Sequence, residues 1–376
     1  MRIAILTHGI SPFGHQYAKA FSDRGHPSEV WSMTPAEDVT GSRMRFVGPA
    51  GFKPWESSAR LMPYVKTLAG VRRAVREDPP DILFALYMTS AGLIACLSGH
   101  PHVVVSGQGS DINSHVGSRP WRMILGWQCR RACLVHAVSD ALAETMRSRL
   151  GVDPAKILVA PIGVDTNLLA YVEPSRRPGF ATAQPGYAQA EPGTGQIICT
   201  RAHREAYDHA TLVRAMRRLK DRGVRCRLLF TNRMEVESTK ALARQHGIED
   251  IVAFRDGYKY EELPGLLAAA DVYVSSSKTD GTSQSLLEAL STGTFPVVSD
   301  IVANRPWVEH GKNGYLFPVG DDAALADRLA EALARPDVRS AAAPLSRKLA
   351  VEKGDLSRLA DKMIAAFQRC LGVPQA

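Results

Sequence analysis

Short apolar or β-branched runs alternate with amphipathic segments along most of this chain. The run RIAIL at 2–6 reads as a first strand, and HQYAKAFSDRG at 15–25 as a helix stopped by Gly25. DILFALY (81–87), HVVVSG (102–107), LVHAVS (134–139) and KILVAP (156–161) read as further strands, separated by helical stretches such as SDALAETMRSRL (139–150). Apolar runs without strict alternation, each followed by a helix, predict an α/β architecture whose parallel sheets are covered on both faces.

Proline, glycine and small polar residues interrupt that rhythm within 171–195, which reads as a linker or loop. A second series then begins, with strands expected at QIICT (196–200), RCRLLF (225–230), IVAF (251–254), DVYVSSS (271–277) and FPVVSD (295–300). EELPGLLAAA (261–270) and DDAALADRLAEALARP (321–336) read as helices, the latter with Asp321 or Asp322 as N-cap and Pro336 beyond its end. In the tail, Leu356, Leu359, Met363, Phe367 and Leu371 fall at helical spacing, so this segment must dock on something. The expected organisation is an N-terminal Rossmann-like half (1–170), the linker (171–195) and a C-terminal Rossmann-like half (196–354). The final helix (355–376) completes the first half.

A chain of 376 residues agrees with two domains. Its six cysteines occur singly, without a CxxC pair, which argues against a zinc cluster or disulfide scaffold and fits a reducing compartment. The start MRIAILTHGI lacks the longer apolar region of a signal peptide, and no run approaches about 18 apolar residues. A cytoplasmic protein is therefore expected. The net charge of +8 invites an anionic partner: nucleic acid, an acidic membrane surface or a phosphorylated small molecule. No zinc-finger spacing, RNP-type strand or dense basic block supports nucleic acid. No GxGxxG follows a predicted strand and no GxxxxGK[ST] occurs, which disfavours a dinucleotide oxidoreductase and removes a P-loop nucleotidase.

Candidate chemistry gathers in TDGTSQSLLEAL (279–290), where a loop leads from a strand into a helix. Thr282 or Ser283 is the expected N-cap, and the open amides of the first turn form a site for an anion such as a diphosphate. Glu288, more than one turn further on, could accept two hydrogen bonds from a vicinal diol, while Asp280 precedes the helix. Acidic residues near helix starts are ordinary, so Asp280 could equally help start the helix and Glu288 be solvated. Against that, SLLEAL belongs to a helix expected to be largely buried, where a lone carboxylate needs a partner.

With AADVYVSSS before it and GKNGYLFPVGDDAALADRL after it, this stretch resembles the donor half of glycosyltransferase family 4. Asp280 and Glu288 match the family's pair of acidic residues separated by seven. The likeness extends through GSDI (109–112), VHAVSDALAETM (135–146) and PIGVDTN (161–167), and so covers most of the chain. It implies the GT-B fold, with two Rossmann-like domains whose parallel sheets face across a cleft, and transfer of sugar from a nucleotide-diphosphate donor to an acceptor hydroxyl with retention. By resemblance, Glu288 binds the ribose, Asp280 the transferred sugar, and Arg201 the diphosphate. Gly281, Thr282, Ser283, Ser285 and Leu287 belong to the donor site, while Gly14 and His15 lie where the acceptor enters. The departing phosphate oxygen can itself take the acceptor's proton. With no DxD motif, a helix dipole and an arginine can stabilise the leaving group, so no metal or other cofactor is expected.

The chain departs from the family pattern at three places. Gln108 stands where a histidine contacts the donor sugar, Ala206 where a lysine follows the arginine by five, and Ile162 where asparagine is common. Glutamine can hydrogen-bond but cannot take up a proton as histidine does. Arg204 is the candidate to replace the charge missing at Ala206.

Many relatives act on glycan or lipid-linked acceptors, and SRPWRMILGWQCRR (118–131) combines aromatic and basic residues suited to an anionic membrane face. FKPWESSARLMPYVK (52–66) and VRRAVRE (71–77) add cations. The other reading of 118–131 has its tryptophans facing the core. The expected protein is a metal-independent hexosyltransferase of polysaccharide or glycolipid synthesis, cytoplasmic or peripheral at the inner membrane face. A sugar-nucleotide 2-epimerase of the same fold and a degenerate, non-catalytic binding protein are the alternatives.

Overall fold

The computed structural model describes residues 1–8, 12–35, 43–50, 61–172, 191, 193–231 and 236–373. Backbone contacts divide the chain into two compact units, Met1–Ile162 with Leu356–Ala376, and Gly163–Asp355.

The first unit is built on seven strands: β1 (Ile3–Thr7), β2 (Ser28–Ser32), β3 (Arg43–Phe46), β4 (Ile82–Leu86), β5 (Val103–Gly107), β6 (Leu134–Ala137) and β7 (Ile157–Val159). They pair in parallel in the order β3-β2-β1-β4-β5-β6-β7. β1, β4, β5 and β6 are buried along their whole length, as their mainly apolar runs lead one to expect. The sequence pattern passed over β2 and β3. RMRF of β3 carries two arginines on an edge strand that is half-buried at most, so no apolar run marks it. The helix Asp140–Leu150 starts where its sequence signals place it, with Ser139 accepting the Leu142 amide, and ends at left-handed Gly151.

The second unit holds six parallel strands: β8 (Gly195–Cys199), β9 (Cys226–Phe230), β10 (Val252–Phe254), β11 (Val272–Ser275), β12 (Phe295–Ser299) and β13 (Tyr315–Phe317). Their order is β10-β9-β8-β11-β12-β13, so the chain reverses direction across the sheet between β10 and β11, next to β8. Pro336 follows the helix Asp322–Ala334, whose Asp321 cap accepts the Ala324 amide, and is also the first residue of an 18-residue helix, Pro336–Lys353.

Residues 163–170, which the sequence pattern grouped with the first half, pack in the second unit. The Val164 amide donates to Gly354 O at 2.9 Å, Thr166 donates to the Asp355 carboxylate at 2.5 Å, and Leu169 lies in that unit's core. The expected linker falls almost wholly outside the described residues. Beyond Asp355, the helix Leu356–Cys370 returns to the first unit. Its Leu356, Leu359, Met363 and Phe367 are buried, and Phe367 meets Phe84 and Phe21 with ring centroids 5.3 and 5.8 Å apart. Leu371 is half-buried.

The stretch 118–131 forms the helix Arg119–Arg131. Trp127 packs on the core, Trp121 lies edge-on to His115 at 4.8 Å, and Met123 is 73% exposed beside Arg119 and Arg130. Among the described residues, no helix is long and apolar enough to cross a membrane. The 52–60 part of the other basic stretch lies outside the described residues.

Candidate donor-binding site

Parallel strands bring their carboxyl ends to one edge of a sheet, and ligands of open α/β folds bind there. In the second unit, β8 ends at Cys199 and delivers Arg201, while β11 ends at Ser275 and delivers the loop that starts the helix Gln284–Thr292. Backbone and hydroxyl bonds join the two loops. Lys278 N donates to Ala206 O at 2.8 Å, and Ser276 Oγ donates to the carbonyls of Tyr207 and Asp208 at 3.0 and 2.9 Å. Ser299 at the end of β12 fixes the Ser277 carbonyl from behind at 2.5 Å.

Ser283 is the N-cap of the helix, accepting the Leu286 amide at 3.3 Å. Arg201 is 9% exposed and reaches across to this helix start. Its Nη2 donates to Asp280 Oδ2 at 2.6 Å, and its Nη1 to the hydroxyls of Ser283 and Ser285 at 3.2 Å each. The Tyr207 ring lies 3.8 Å from the guanidinium carbon, a stacked cation–π contact. Burial works against the charge of Arg201, but Asp280, together with Tyr207 and Tyr273, outweighs it and holds the pKa above the ordinary value. Arg201 Nε is buried with no hydrogen-bond partner among the described residues, so a donor is left over.

Glu288 is only 5% exposed, one turn further along the helix than Gln284, whose Nε2 donates to its Oε1 at 2.9 Å. Burial pushes the Glu288 pKa up to about 7, against the pull of the Gln284 bond, the Arg201 charge and Tyr260. Such a carboxylate is half-ionised near neutrality and is stabilised by any ligand that brings hydroxyl donors to it.

The other expected residues are placed as follows. Gly281 and Thr282 are buried in the loop, and the Gly281 amide donates to Asp280 Oδ1 at 2.9 Å. Ser285 is also bonded to Tyr273 OH at 2.8 Å. The Leu287 side chain is fully buried in the core and its amide donates to Ser283 O, so neither is open to a ligand. Arg204 stands exposed at the start of the turn Glu205–Tyr207 and makes no side-chain bond to Asp280, Ser283 or Ser285 among the described residues. The sequence reading missed Lys278, which is exposed beside Ala206 with its ammonium 3.9 Å from Glu205. Only the loop-to-loop contact marks that lysine out.

In the first unit, Gln108 follows β5. The fully buried Asp111 carboxylate accepts the amides of Met88, Gln108 and Gly109 at 2.7, 2.9 and 2.9 Å, which fixes the loop. Gly14 lies on the helix Pro12–Ser22 where an added Cβ would stand 2.6 Å from Thr7 Cγ2, so its missing side chain lets the helix approach β1. His15 is fully buried. Among the described residues, no group of three or more His, Cys, Asp or Glu side chains is placed to hold a metal ion.

Two family models match. Residues 8–168 match Glycosyltransferase Family 4, and residues 189–349 match Glycosyl transferases group 1. The chain is 31% identical over 211 residues to WcaL of Salmonella typhimurium, named as a colanic acid biosynthesis glycosyltransferase, covering 54% of this chain and 48% of that one. It is 27% identical over 238 residues to the MMP alpha-(1->4)-mannosyltransferase of Mycolicibacterium hassiacum, covering 62% and 53%. The matches thus span about half the length of these relatives. In structure it is similar to a sucrose-phosphate synthase from Thermosynechococcus elongatus (TM-score 0.82, 16% identity, 99% of each chain). It is also similar to Anabaena HepE, crystallised with UDP and glucose (TM-score 0.80, 17% identity, 98% and 99%). At these identities the likeness shows the fold, which is GT-B. Two colinear family models, one over each half of the chain, show that this chain belongs to glycosyltransferase family 4.

Proposed function

We propose that this chain is a retaining glycosyltransferase, moving a sugar from a nucleoside diphosphate to an acceptor hydroxyl in polysaccharide or glycolipid assembly. The observation that carries the reading is the Arg201 cluster. A buried guanidinium with a spare Nε–H stands at a helix start, its ion pair among the described residues being with Asp280. A diphosphate brings the anionic oxygens that such a cluster accommodates, and the buried Glu288 carboxylate suits a ribose diol. Asp280 then turns from Arg201 to the hydroxyls of the sugar. Gly281, Thr282, Ser283 and Ser285 shape the loop around it.

In the proposed step the anomeric C–O bond breaks and its electron pair goes to the terminal phosphate oxygen. The acceptor oxygen bonds to the anomeric carbon on the same face, and its proton passes to that phosphate oxygen. Arg201 and the helix start balance the charge that develops there. Lys278 supplies the second cation on the side where Ala206 has none, in place of Arg204. On this account transfer needs no divalent cation. UDP is the first nucleotide to test, since HepE was crystallised with it.

The acceptor is a glycan or a lipid-linked sugar. A peripheral membrane contact rests on the outer face of the helix Met62–Glu77, where Met62, Val65, Lys66, Arg72, Arg73 and Arg76 are exposed, and on Met123 and Arg130 of the helix Arg119–Arg131. Flotation with anionic vesicles at low salt and release at high salt support that contact; no flotation with anionic lipid removes it.

The test of the reaction is incubation with nucleotide sugars and candidate acceptors in EDTA, with the product's anomeric configuration read by NMR. Retention without added metal is expected. An inverted product, or a strict metal requirement, overturns the mechanism. Nucleotide binding without turnover on any acceptor favours the binding-protein reading that Gln108 and Ala206 motivate.

A further inference from the structure

The loop that carries Arg201 contains a strained residue. Among the described residues, Tyr87 and Asp208 alone have a positive φ without being glycine, and Asp208, at φ 46°, closes the turn Glu205–Tyr207. That left-handed conformation is costly for a residue with a Cβ, and aspartate is among the few that adopt it. Its surroundings hold it there. Thr211 Oγ1 donates to Asp208 Oδ2 at 2.7 Å, and Ser276 Oγ, from the loop after β11, reaches the carbonyls of Tyr207 and Asp208. At the other end of the loop, His209 Nε2 lies 2.9 Å from Ala202 O, and since a carbonyl only accepts, that nitrogen carries the hydrogen. Burial pushes the His209 pKa down to about 3, so the ring stays neutral and the tie persists through the physiological range.

This turn lays the Tyr207 ring on the Arg201 guanidinium, with Cζ 3.8 Å from the ring centroid. The guanidinium is flat, so a ring on one broad face sets its plane, while hydrogen bonds at its edges set its rotation within that plane. Nη1 is taken by Ser283 and Ser285, and Nη2 by Asp280. Nε and Nη2 share one edge, the edge that grips two oxygens of an anion in a bidentate pair. Asp280 uses only half of it. Its Oδ2 accepts from Nη2, whereas its Oδ1 accepts the Gly281 amide at 2.9 Å. Nε remains buried and without a hydrogen-bond partner among the described residues, on a side chain 9% exposed. Packing for stability alone would satisfy that donor. A strained turn beside an unused buried donor points instead to a ligand.

We infer that Tyr207 is a positioning residue, whose ring holds the plane of Arg201 so that the Nε–Nη2 edge meets two oxygens of a diphosphate once Asp280 lets go. The inference rests on the nucleoside diphosphate reading above. It adds two requirements to that reading: the aromatic ring matters and its hydroxyl does not, and the effect falls on phosphate and not on the nucleoside. Without the ring the guanidinium tilts, and the edge no longer presents both donors together. The nucleoside, which the reading assigns to Glu288 further along the helix, is indifferent to the tilt.

The test measures dissociation constants of UDP and of uridine, or of the matching pair for whichever nucleoside diphosphate binds, on the full chain as wild type, Tyr207→Phe and Tyr207→Leu. Tyr207→Phe is expected to bind UDP within about threefold of wild type and Tyr207→Leu about tenfold more weakly, with uridine unchanged in all three. Undiminished UDP binding in Tyr207→Leu, an equal loss in Tyr207→Phe, or uridine weakened as much as UDP overturns the inference. If no nucleoside diphosphate binds the wild type, the donor reading has failed, and the stack is tested by itself from the proton NMR signal of Arg201 Nε–H. An upfield ring-current shift in wild type that Tyr207→Phe retains supports a fixed stack, and its absence in wild type overturns it. The same spectra decide the matter if Tyr207→Leu does not fold.

Discussion

The Arg201 guanidinium and the Asp280 carboxylate meet at 2.6 Å with side chains only 9% and 15% exposed, so each is the other's main charge partner. Removing either leaves a nearly buried charge uncompensated, which typically costs 3–5 kcal/mol. The two substitutions should nonetheless separate in function. Arg201→Ala is expected to weaken nucleoside diphosphate binding and destabilise the fold. Asp280→Asn should leave nucleotide affinity equal or improved, because Arg201 is released toward phosphate, while transfer falls by about 100-fold or more. Calorimetry with UDP beside a transfer assay distinguishes them. Equal loss of nucleotide binding in both variants contradicts these roles.

Glu288 ties nucleotide binding to pH. Its folded pKa of about 7 lies above the ordinary 4.5. Below 4.5 the group is neutral in both folded and unfolded chains. As pH rises from 4.5 to 7 the unfolded chain ionises first, so stability falls. Above 7 the full penalty applies, on the order of 3 kcal/mol. Glu288→Gln should therefore raise the melting temperature relative to wild type at pH 8 and have little effect at pH 4. The same substitution should weaken nucleotide binding and flatten its pH dependence, because ribose hydroxyls favour the ionised form and wild-type affinity rises up to about pH 7. Thermal scans and titrations at pH 5, 6, 7 and 8 check both signs.

Lys278 is exposed and only loosely paired with Glu205, so its removal should barely affect stability. If it serves the diphosphate, Lys278→Ala weakens nucleoside diphosphate binding by roughly tenfold and lessens its sensitivity to salt, about one charge-assisted hydrogen bond. Arg204→Ala, measured beside it, is expected to change little. The reverse ranking would return the compensating charge to Arg204.

The last helix belongs to the first unit through Phe367, which is fully buried against Phe84 and Phe21. Phe367→Ala should cost about 3–5 kcal/mol. Hydrogen exchange is expected to rise in β1, β4 and the helix Pro12–Ser22 more than in the donor loop 276–283. Equal change in both units would contradict the division at Asp355.

The fold was legible at the longer apolar runs, as in ILFAL of β4 and FPVVS of β12, but not at the three-residue YLF of β13. It was illegible at β3, where an edge strand keeps two arginines, and at the helix Pro336–Lys353, whose two prolines read as breaks. Glu288 could be picked out because a carboxylate inside SLLEAL conflicts with its surroundings, whereas Arg201 and the role of Asp280 were marked by the family resemblance. Sequence could not say that Leu287, the neighbour of Glu288, turns into the core, since adjacent helical residues differ in facing by about 100° and SLLEAL is apolar on most sides. Nor could it join His136 Nδ1 and Gln108 Nε2, which lie 2.7 and 2.6 Å from Ser106 Oγ where β5 and β6 pair with Ser106 opposite His136.

The most direct measurement is a thermal-shift and calorimetric panel of UDP, GDP and ADP and their sugars in EDTA, on wild type and Glu288→Ala. A ligand at about 100 times its dissociation constant adds roughly 2.7 kcal/mol, well above the detection limit of either method. The account predicts that one base stabilises the wild type without metal and that Glu288→Ala abolishes the shift. No response to any nucleoside diphosphate, or an undiminished response in Glu288→Ala, would contradict it.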